Sequence, residues 1–284
     1  MPLENMNVML GKAADAGYAV GAFNILDFNS TKAVIFAAEE TNAPVIIQTS
    51  AKTVIFWSAP AIISWVKQLA DSSNVPIALH LDHCKDLDLI KECIESGWTS
   101  VMIDASSKPF EENLSLSRQV VRMARPKNVT VEAELGAIVG VEDDIHVKQQ
   151  DAHLADPEQA IRFCEKVEPD CFAPAIGTAH GVYKGVPKIA YELLEEIAAK
   201  VAAPIALHGG TGLADDVFKK CILLGCSKVN ISTQLKYAFI DGFVNYYNAN
   251  NTEYNPLKVI DAQFNELKAG IVENINLFGS SGKA

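Results

Sequence analysis

The sequence predicts a single parallel barrel of eight β/α units, and three observations carry that prediction. Short β-rich apolar runs alternate with amphipathic helical segments along the chain, rather than collecting into separate blocks. Eight such runs are present, which is the number that closes a barrel most simply. Every run also ends in a polar residue or a glycine, and in this architecture the C-terminal ends of the strands form the mouth that carries chemistry.

In chain order the strand runs are YAVGAFN (18–24), PVIIQTS (44–50), PIALHLD (76–82), TSVMID (99–104), VTVEAEL (129–135), CFAPAIG (171–177), PIALHGG (204–210) and SKVNIS (227–232). Between them lie STKAVIFAAEETN, APAIISWVKQLADSS, LDLIKECIESG, FEENLSLSRQVVRMAR, DPEQAIRFCEKV, YELLEEIAAKV and ADDVFKKCILLG, whose apolar residues recur every three or four positions and so bury one face. An open, doubly wound sheet is the rival fold, but no GxGxxG follows the first strand. Beyond the eighth strand, AFIDGFVNYYNAN and IDAQFNELKAGIVENINLF keep helical spacing. The full prediction is therefore a (β/α)8 TIM barrel with extra C-terminal helices, one domain over residues 1–284, the extra helices either capping the barrel or packing a subunit interface.

Composition excludes whole classes of partner. A formal charge of −11 repels nucleic acid and anionic membranes, so any anionic substrate must be held by local donors. The amino terminus has no basic region leading into an apolar core, and no segment offers 18 uninterrupted apolar residues, which predicts a soluble, cytoplasmic protein. The six cysteines form no CxxC pair and fall mostly in apolar or helical stretches, as reduced structural thiols do; a thiolate at Cys84, beside His83, could ligate a metal, but His80 and the other two imidazoles offer commoner ligands.

Three histidines, His83, His180 and His208, stand just beyond strand runs from distant parts of the chain. Taken singly, a histidine or aspartate at a strand end is more often a hydrogen-bonded cap. Together with Asp82, Asp104 and Glu134 they form a polar cluster too costly to bury without a cation, and three imidazoles are a common metal-ligand set. Asn24 and Ser50 end the first two strands. His80 shares the inward face of Asp82, as a supporting partner or a packed residue, whereas His146 and His153 fall in a polar, exposed loop. The runs GTAHGVYKG (177–185) and HGGTGL (208–213) place glycines where backbone amides can approach an anion, and Lys184, Thr211, Ser232 and Thr233 add donors. Two such turns, each beside a metal-ligand candidate, predict a phosphate seat between the last strands.

At these residues the chain resembles a known family. LHLDH (79–83), SVMIDAS (100–106), VEAELG (131–136), VEDD (141–144), AIGTAHGVYKG (175–185), LHGGTGL (207–213), KVNIST (228–233) and FGSSGKA (278–284) look like the class II, metal-dependent fructose-bisphosphate and tagatose-bisphosphate aldolases. The resemblance implies a zinc aldolase: His83, His180 and His208 match the zinc ligands, Asp104 and Glu134 match carboxylates near the metal, and Asp82 matches the acid/base of the C4 hydroxyl. Glu142 matches a loop acid handling the carbon proton of the enediolate. Asn24, Ser50, Gly181, Lys184, Gly209, Gly210, Thr211, Asn230, Ser232 and Thr233 fall on substrate and phosphate positions. One catalytic Zn²⁺ is implied, with a second divalent ion and a monovalent cation left open, along with a phosphorylated sugar substrate and a homodimer or homotetramer. The rival Schiff-base route needs a strand lysine, and the only one is Lys228 at the start of the eighth strand.

Three departures lie on the distal half of the expected substrate. Leu257, in YNPLK (254–258), stands where bisphosphate-specific members carry an arginine, with Lys258 next to it as a candidate replacement. Ser232 replaces the aspartate or alanine usual there, and TSAKTVIFWS (49–58) lacks a small, glycine-containing run. The expected reaction is cleavage of fructose 1,6-bisphosphate or tagatose 1,6-bisphosphate to dihydroxyacetone phosphate and glyceraldehyde 3-phosphate. The alternatives are an aldolase for a ketose 1-phosphate or for 6-phospho-5-dehydro-2-deoxygluconate, and a non-catalytic sugar-phosphate-binding protein.

Overall fold

A computed structural model describes residues 3–142, 145–147, 153–181, 185 and 187–284. Its strands, in chain order, are β1 Val20–Asn24, β2 Val45–Ser50, β3 Ile77–Cys84, β4 Ser100–Ile103, β5 Thr130–Leu135, β6 Val139–Glu142, β7 Ile145–Val147, β8 Cys171–Pro174, β9 Ala179–His180, β10 Ile205–Leu207 and β11 Cys226–Ile231. Eight of them close a barrel in the order β1-β2-β3-β4-β5-β8-β10-β11, with β11 pairing back onto β1 in parallel. This is the predicted (β/α)8 barrel, each of the eight predicted runs supplying one of its strands.

Local chemistry explains why the helices form where they do. In Leu87–Ser96 the Asp86 side chain accepts from the backbone N–H groups of Asp88 and Leu89, satisfying donors that a helix start leaves open. Leu89, Ile90, Cys93 and Ile94 then form a stripe buried against the sheet, and Gly97 ends the helix at φ 110°. Aspartate caps also start Phe28–Thr41 (Asp27) and Pro157–Val167 (Asp156), whereas Ala59–Ala70, Phe110–Ala124, Tyr191–Lys200, Asp215–Leu223 and Thr233–Ala249 start without a side-chain cap and are held by their buried faces. The helix Pro256–Leu277 packs across Thr233–Ala249 and Phe28–Thr41, burying Leu267, Ile271 and Ile275. The tail returns to the barrel, where Phe278 is buried and its carbonyl accepts from Ala19 N–H.

Besides the short helices Ala51–Trp57 and Arg125–Lys127, two features lie outside the sequence prediction. No element was expected before residue 18, yet Met6–Ala16 is a helix capped by Asn5 that plugs the bottom of the barrel. Its Met6, Met9, Leu10 and Ala13 pack with Val20, Ala22, Ile46, Ala78, Ala173 and Ala206. Those strand residues are mostly small, which leaves room for the plug. The second feature is a three-stranded sheet, β7-β6-β9, on the segments that leave β5 and β8. Its short strands lack the alternating pattern that reveals a strand in sequence. Among the described residues no helix is long and apolar enough to cross a membrane.

The even-numbered residues of β1, β2 and β5, those of β3 up to Asp82 and those of β11 from Lys228 face the barrel axis, so the interior is layered. Val20, Ala22, Ile46 and Ala78 form the apolar floor with the plug; Gln48, His80, Glu132 and Lys228 lie above them; Asn24, Ser50, Asp82, Glu134 and Asn230 reach the mouth. Leu10, fully buried between floor and plug, should be costly to shorten. Leu10→Ala is expected to destabilise the protein by about 2–5 kcal/mol, read from urea unfolding. A change near zero would show that the plug does not support the barrel.

Candidate active site

The site is built on β3. Between Leu81 and Cys84 its register against β4 slips by one residue, and within this bulge His83 adopts φ 46°, a left-handed conformation rare for a residue with a Cβ. Strict alternation would send neighbouring side chains to opposite faces. The bulge lets both Asp82 and His83 serve the mouth while Cys84 returns to the apolar shell. His180 arrives on β9, and His208 follows β10.

The three imidazoles converge, with one ligand atom from each lying within 4.8 Å of the others. The His83 ring sits 4.9 Å from that of His180 and 4.6 Å from that of His208, centroid to centroid. Each of two rings is held from behind. His83 Nδ1 lies 3.2 Å from Asp104 Oδ2, and Asp104 is held in turn by Ser106. His208 Nε2 lies 2.7 Å from Glu132 Oε1. These contacts leave His83 Nε2 and His208 Nδ1 buried without a hydrogen bond, as they leave Glu134 Oε2, which stands 3.3 Å from His208 Nδ1. Buried ring nitrogens and a carboxylate oxygen without a partner are costly, and a divalent cation would satisfy them once the rings give up their protons, so the residues fit a metal.

Electrostatics favour positive charge here. Burial alone would depress His83, but Asp82, Asp104 and Glu134 outweigh it and raise its pKa to about 10. For His208, burial is likewise outweighed by Glu132 and Glu134, and the shift is upward. Asp104 is pushed up by burial and held below the usual carboxylate range by His83 and Ser106. His80 is the exception. Burial, reinforced by Lys228, lowers it to about 3, and its Nδ1 lies 2.7 Å from Ser100 Oγ, so it is a neutral packed residue.

Asp82 sits between two amides. Asn24 Nδ2 donates to its Oδ2 at 3.0 Å, and Asn230 Nδ2 donates to its Oδ1 at 3.1 Å. Behind them, Gln48 Nε2 donates to Asn24 Oδ1 and Lys228 Nζ donates to Asn230 Oδ1. Gln48, Glu132 and Lys228 were missed as site residues in the sequence, although each lies two residues before a strand-end candidate on the same inward face.

At the glycine turns the backbone packs too closely for a Cβ. A side chain on Gly209 (φ 68°) would meet the Ala179 carbonyl at 2.5 Å, and one on Gly140 (φ 126°) would meet the His180 carbonyl at 2.2 Å. Thr211 Oγ1 accepts from Gln234 N–H, tying the turn after β10 to the start of the helix Thr233–Ala249. Gly210 packs against the Asn230 carbonyl, and Ser232 is buried beside that helix start with its Oγ unpaired. Gly181, at φ 81°, follows His180. Ser50 differs: its hydroxyl caps the helix Ala51–Trp57 by accepting from Thr53 N–H. Glu142 ends β6, whose Gly140 pairs with His180, but its side chain lies outside the described residues, as do Lys184 and the side chain of His146. His153 is exposed, as expected. The six cysteines are buried and form no disulfide, and Cys84 packs in the apolar shell instead of joining the imidazoles.

Residues 4–283 match the family model for fructose-bisphosphate aldolase class-II. The chain belongs to the class II fructose-bisphosphate aldolase family. It is 39% identical over an alignment of 287 residues to the fructose-bisphosphate aldolase of Geobacillus stearothermophilus, covering 100% of this chain and 99% of that protein. Against the fructose-bisphosphate aldolase of Staphylococcus aureus (strain N315) it is also 39% identical, with 100% of both chains covered. Its fold superimposes on the crystal structure of the YdjI aldolase from Escherichia coli K12 with a TM-score of 0.89, at 32% identity and 99% coverage of each chain. The protein is thus an enzyme, a class II aldolase.

The charge state of the imidazoles sets a sign for cation binding. A ligand imidazole must be neutral, whereas His83 with a pKa of about 10 carries its proton at neutral pH in the cation-free protein. Adding a divalent cation at about pH 8 should therefore release at least about one proton per site, and affinity should fall as pH drops. Titration in weak buffer with a pH indicator checks this; binding with no acidification contradicts it.

Proposed function

We propose that this aldolase catalyses zinc-dependent, reversible cleavage of a ketose phosphate to dihydroxyacetone phosphate and an aldehyde. The observation that carries the reading is the convergence of three imidazoles next to an oriented aspartate, with buried ring nitrogens of His83 and His208 unpaired. His83, His180 and His208 hold the zinc, which when bound supplies the positive charge that draws electrons toward the ketone oxygen. Asp104 and Glu134 support the ligands from behind and offer oxygen to a second divalent ion; a monovalent cation near the phosphate belongs to the same proposal.

Asp82 takes the proton of the C4 hydroxyl in cleavage and returns it to the aldehyde oxygen in condensation. Asn24 and Asn230 grip one carboxylate oxygen each, which fixes the plane of the group for that transfer. Glu142 exchanges the proton at C3, from a strand paired beside His180. Gly181, Lys184, Gly209, Gly210, Thr211, Ser232 and Thr233 hold the proximal phosphate, aided by the positive end of the 17-residue helix that starts at Thr233. Ser50 serves the same pocket by capping the helix beside β2.

For the distal end, the names of the relatives favour a bisphosphate, fructose 1,6-bisphosphate or tagatose 1,6-bisphosphate, giving glyceraldehyde 3-phosphate. A second reading is favoured by the helix Pro256–Leu277. Leu257 is 72% exposed at its start, and Lys258 is ion-paired to Glu253, so its charge is already engaged. A ketose 1-phosphate needs no distal cation. We place the enzyme in the cytoplasm as a homodimer or homotetramer. Exposed Ile240, Phe243, Val244 and Tyr247 on Thr233–Ala249 support an apolar subunit contact.

Turnover with fructose 1,6-bisphosphate, tagatose 1,6-bisphosphate and several ketose 1-phosphates, read as dihydroxyacetone phosphate with and without chelator, tests the reading. Chelator-sensitive release from at least one is expected, and release from none contradicts it. Asp82→Asn should keep its metal content and lose at least about 100-fold in kcat. Unaltered turnover would remove its assigned role. Leu257→Arg should raise the preference for bisphosphate over monophosphate about tenfold; an unchanged ratio argues against the monophosphate reading.

A further inference from the structure

Lys228 is fully buried inside the barrel, and the reaction described above makes no use of it. Its Nζ lies 2.9 Å from Glu132 Oε2 and donates to Asn230 Oδ1 at 2.6 Å. Each partner touches a different half of the site: Glu132 Oε1 meets His208 Nε2 at 2.7 Å, and Asn230 Nδ2 meets Asp82 Oδ1 at 3.1 Å. One ammonium therefore stands behind both the metal-ligand arm and the acid/base arm.

The direction of each bond follows from what the groups can do. An ammonium has donors only, so the Asn230 oxygen must face it, and the amide nitrogen must then face Asp82. Without Lys228 the amide is free to rotate and present its oxygen to the carboxylate, which repels it. On the other arm, the ammonium keeps Glu132 an acceptor. Glu132 then accepts the hydrogen bond from His208 Nε2, and the lone pair of that ring is left on Nδ1, the buried nitrogen that has no hydrogen bond and lies 3.3 Å from Glu134 Oε2. The bond between Asn24 and Gln48 is a weaker version, since a glutamine amide can itself turn over.

We propose that Lys228 is a positioning residue that sets two polarities at once: the amide of Asn230 that orients Asp82, and, through Glu132, the ring nitrogen that His208 offers to the metal. The proposal rests on the zinc-aldolase reading of Asp82 and His208. It assigns Lys228 no covalent role, and the ammonium touches no substrate atom.

Removing Lys228 alone strands Glu132 as a buried charge, so Lys228→Met serves poorly by itself. The informative pair is K228M/E132Q and K228M/E132L, compared with wild type for thermal midpoint, zinc affinity by chelator competition, and kcat and KM. In K228M/E132Q the glutamine oxygen still accepts from His208, so zinc affinity should stay within about threefold. Asn230 loses its anchor, and kcat should fall by about 100-fold with little change in KM. In K228M/E132L the acceptor is gone as well, and zinc affinity should weaken by about 10–100-fold. Lys228→Arg, which keeps the charge and donors, should retain more activity than either double variant. A folded K228M/E132Q with wild-type kcat overturns the acid/base half, and equal zinc affinity in the two double variants overturns the metal half. If the double variants do not fold, Asn230→Asp in the wild-type background replaces them. Its carboxylate has no donor for Asp82, so a kcat loss of about 100-fold supports the first half and an unchanged kcat overturns it. Zinc affinity is read without turnover, so an enzyme inactive on every sugar phosphate offered would refute the aldolase reading while leaving the His208 half separately judged.

Discussion

Charge buried inside the barrel is the constraint on which the rest of the structure depends. Among the described residues four carboxylates are buried, Asp82, Asp104, Glu132 and Glu134, against a single buried lysine, Lys228. Desolvation makes that imbalance expensive, and the carboxylates shift His83 and His208 toward their charged forms. The same imbalance favours a cation at the mouth, the site proposed for the metal ion.

The barrel separates this polar layer from what keeps the protein folded. The floor is apolar and plugged by Met6–Ala16, and the shell between strands and helices is a continuous hydrophobic cluster. Stability is thus concentrated away from the mouth, where the backbone accepts a bulge and a left-handed His83. Gly209 and Gly140 are glycines because the Ala179 and His180 carbonyls leave no space for a Cβ there. The positions proposed to set the distal preference are independent of both. Leu257 and the Lys258–Glu253 pair lie at the start of a peripheral helix, so the distal preference can change without disturbing the metal or Asp82.

Much of this was legible in the sequence because period-2 alternation and strand-end placement are local signals. They gave the eight barrel strands and brought out His83, His180, His208, Asp82, Asp104 and Glu134, all of which converge. Three things stayed hidden. The helix Met6–Ala16 is short and contains Gly11, and only its fit under the barrel explains its burial. The bulge in β3 is a pairing irregularity that no run of residues announces. Glu132 and Lys228 each look like an ordinary charged residue in a strand, and their value appears only when β5 and β11 face each other across the barrel with His208 between. Ser50 shows the opposite case, a polar strand end whose visible bonds are those of a helix cap.

The central claim is that His83, His180 and His208 together form the zinc site. X-ray absorption at the zinc edge of the purified protein tests it most directly. The expected result is one zinc per chain with three imidazole nitrogens at about 2.0–2.1 Å and no sulfur, reduced in nitrogen count by His208→Ala. A sulfur scatterer at about 2.3 Å, or a spectrum unchanged by His208→Ala, would contradict it.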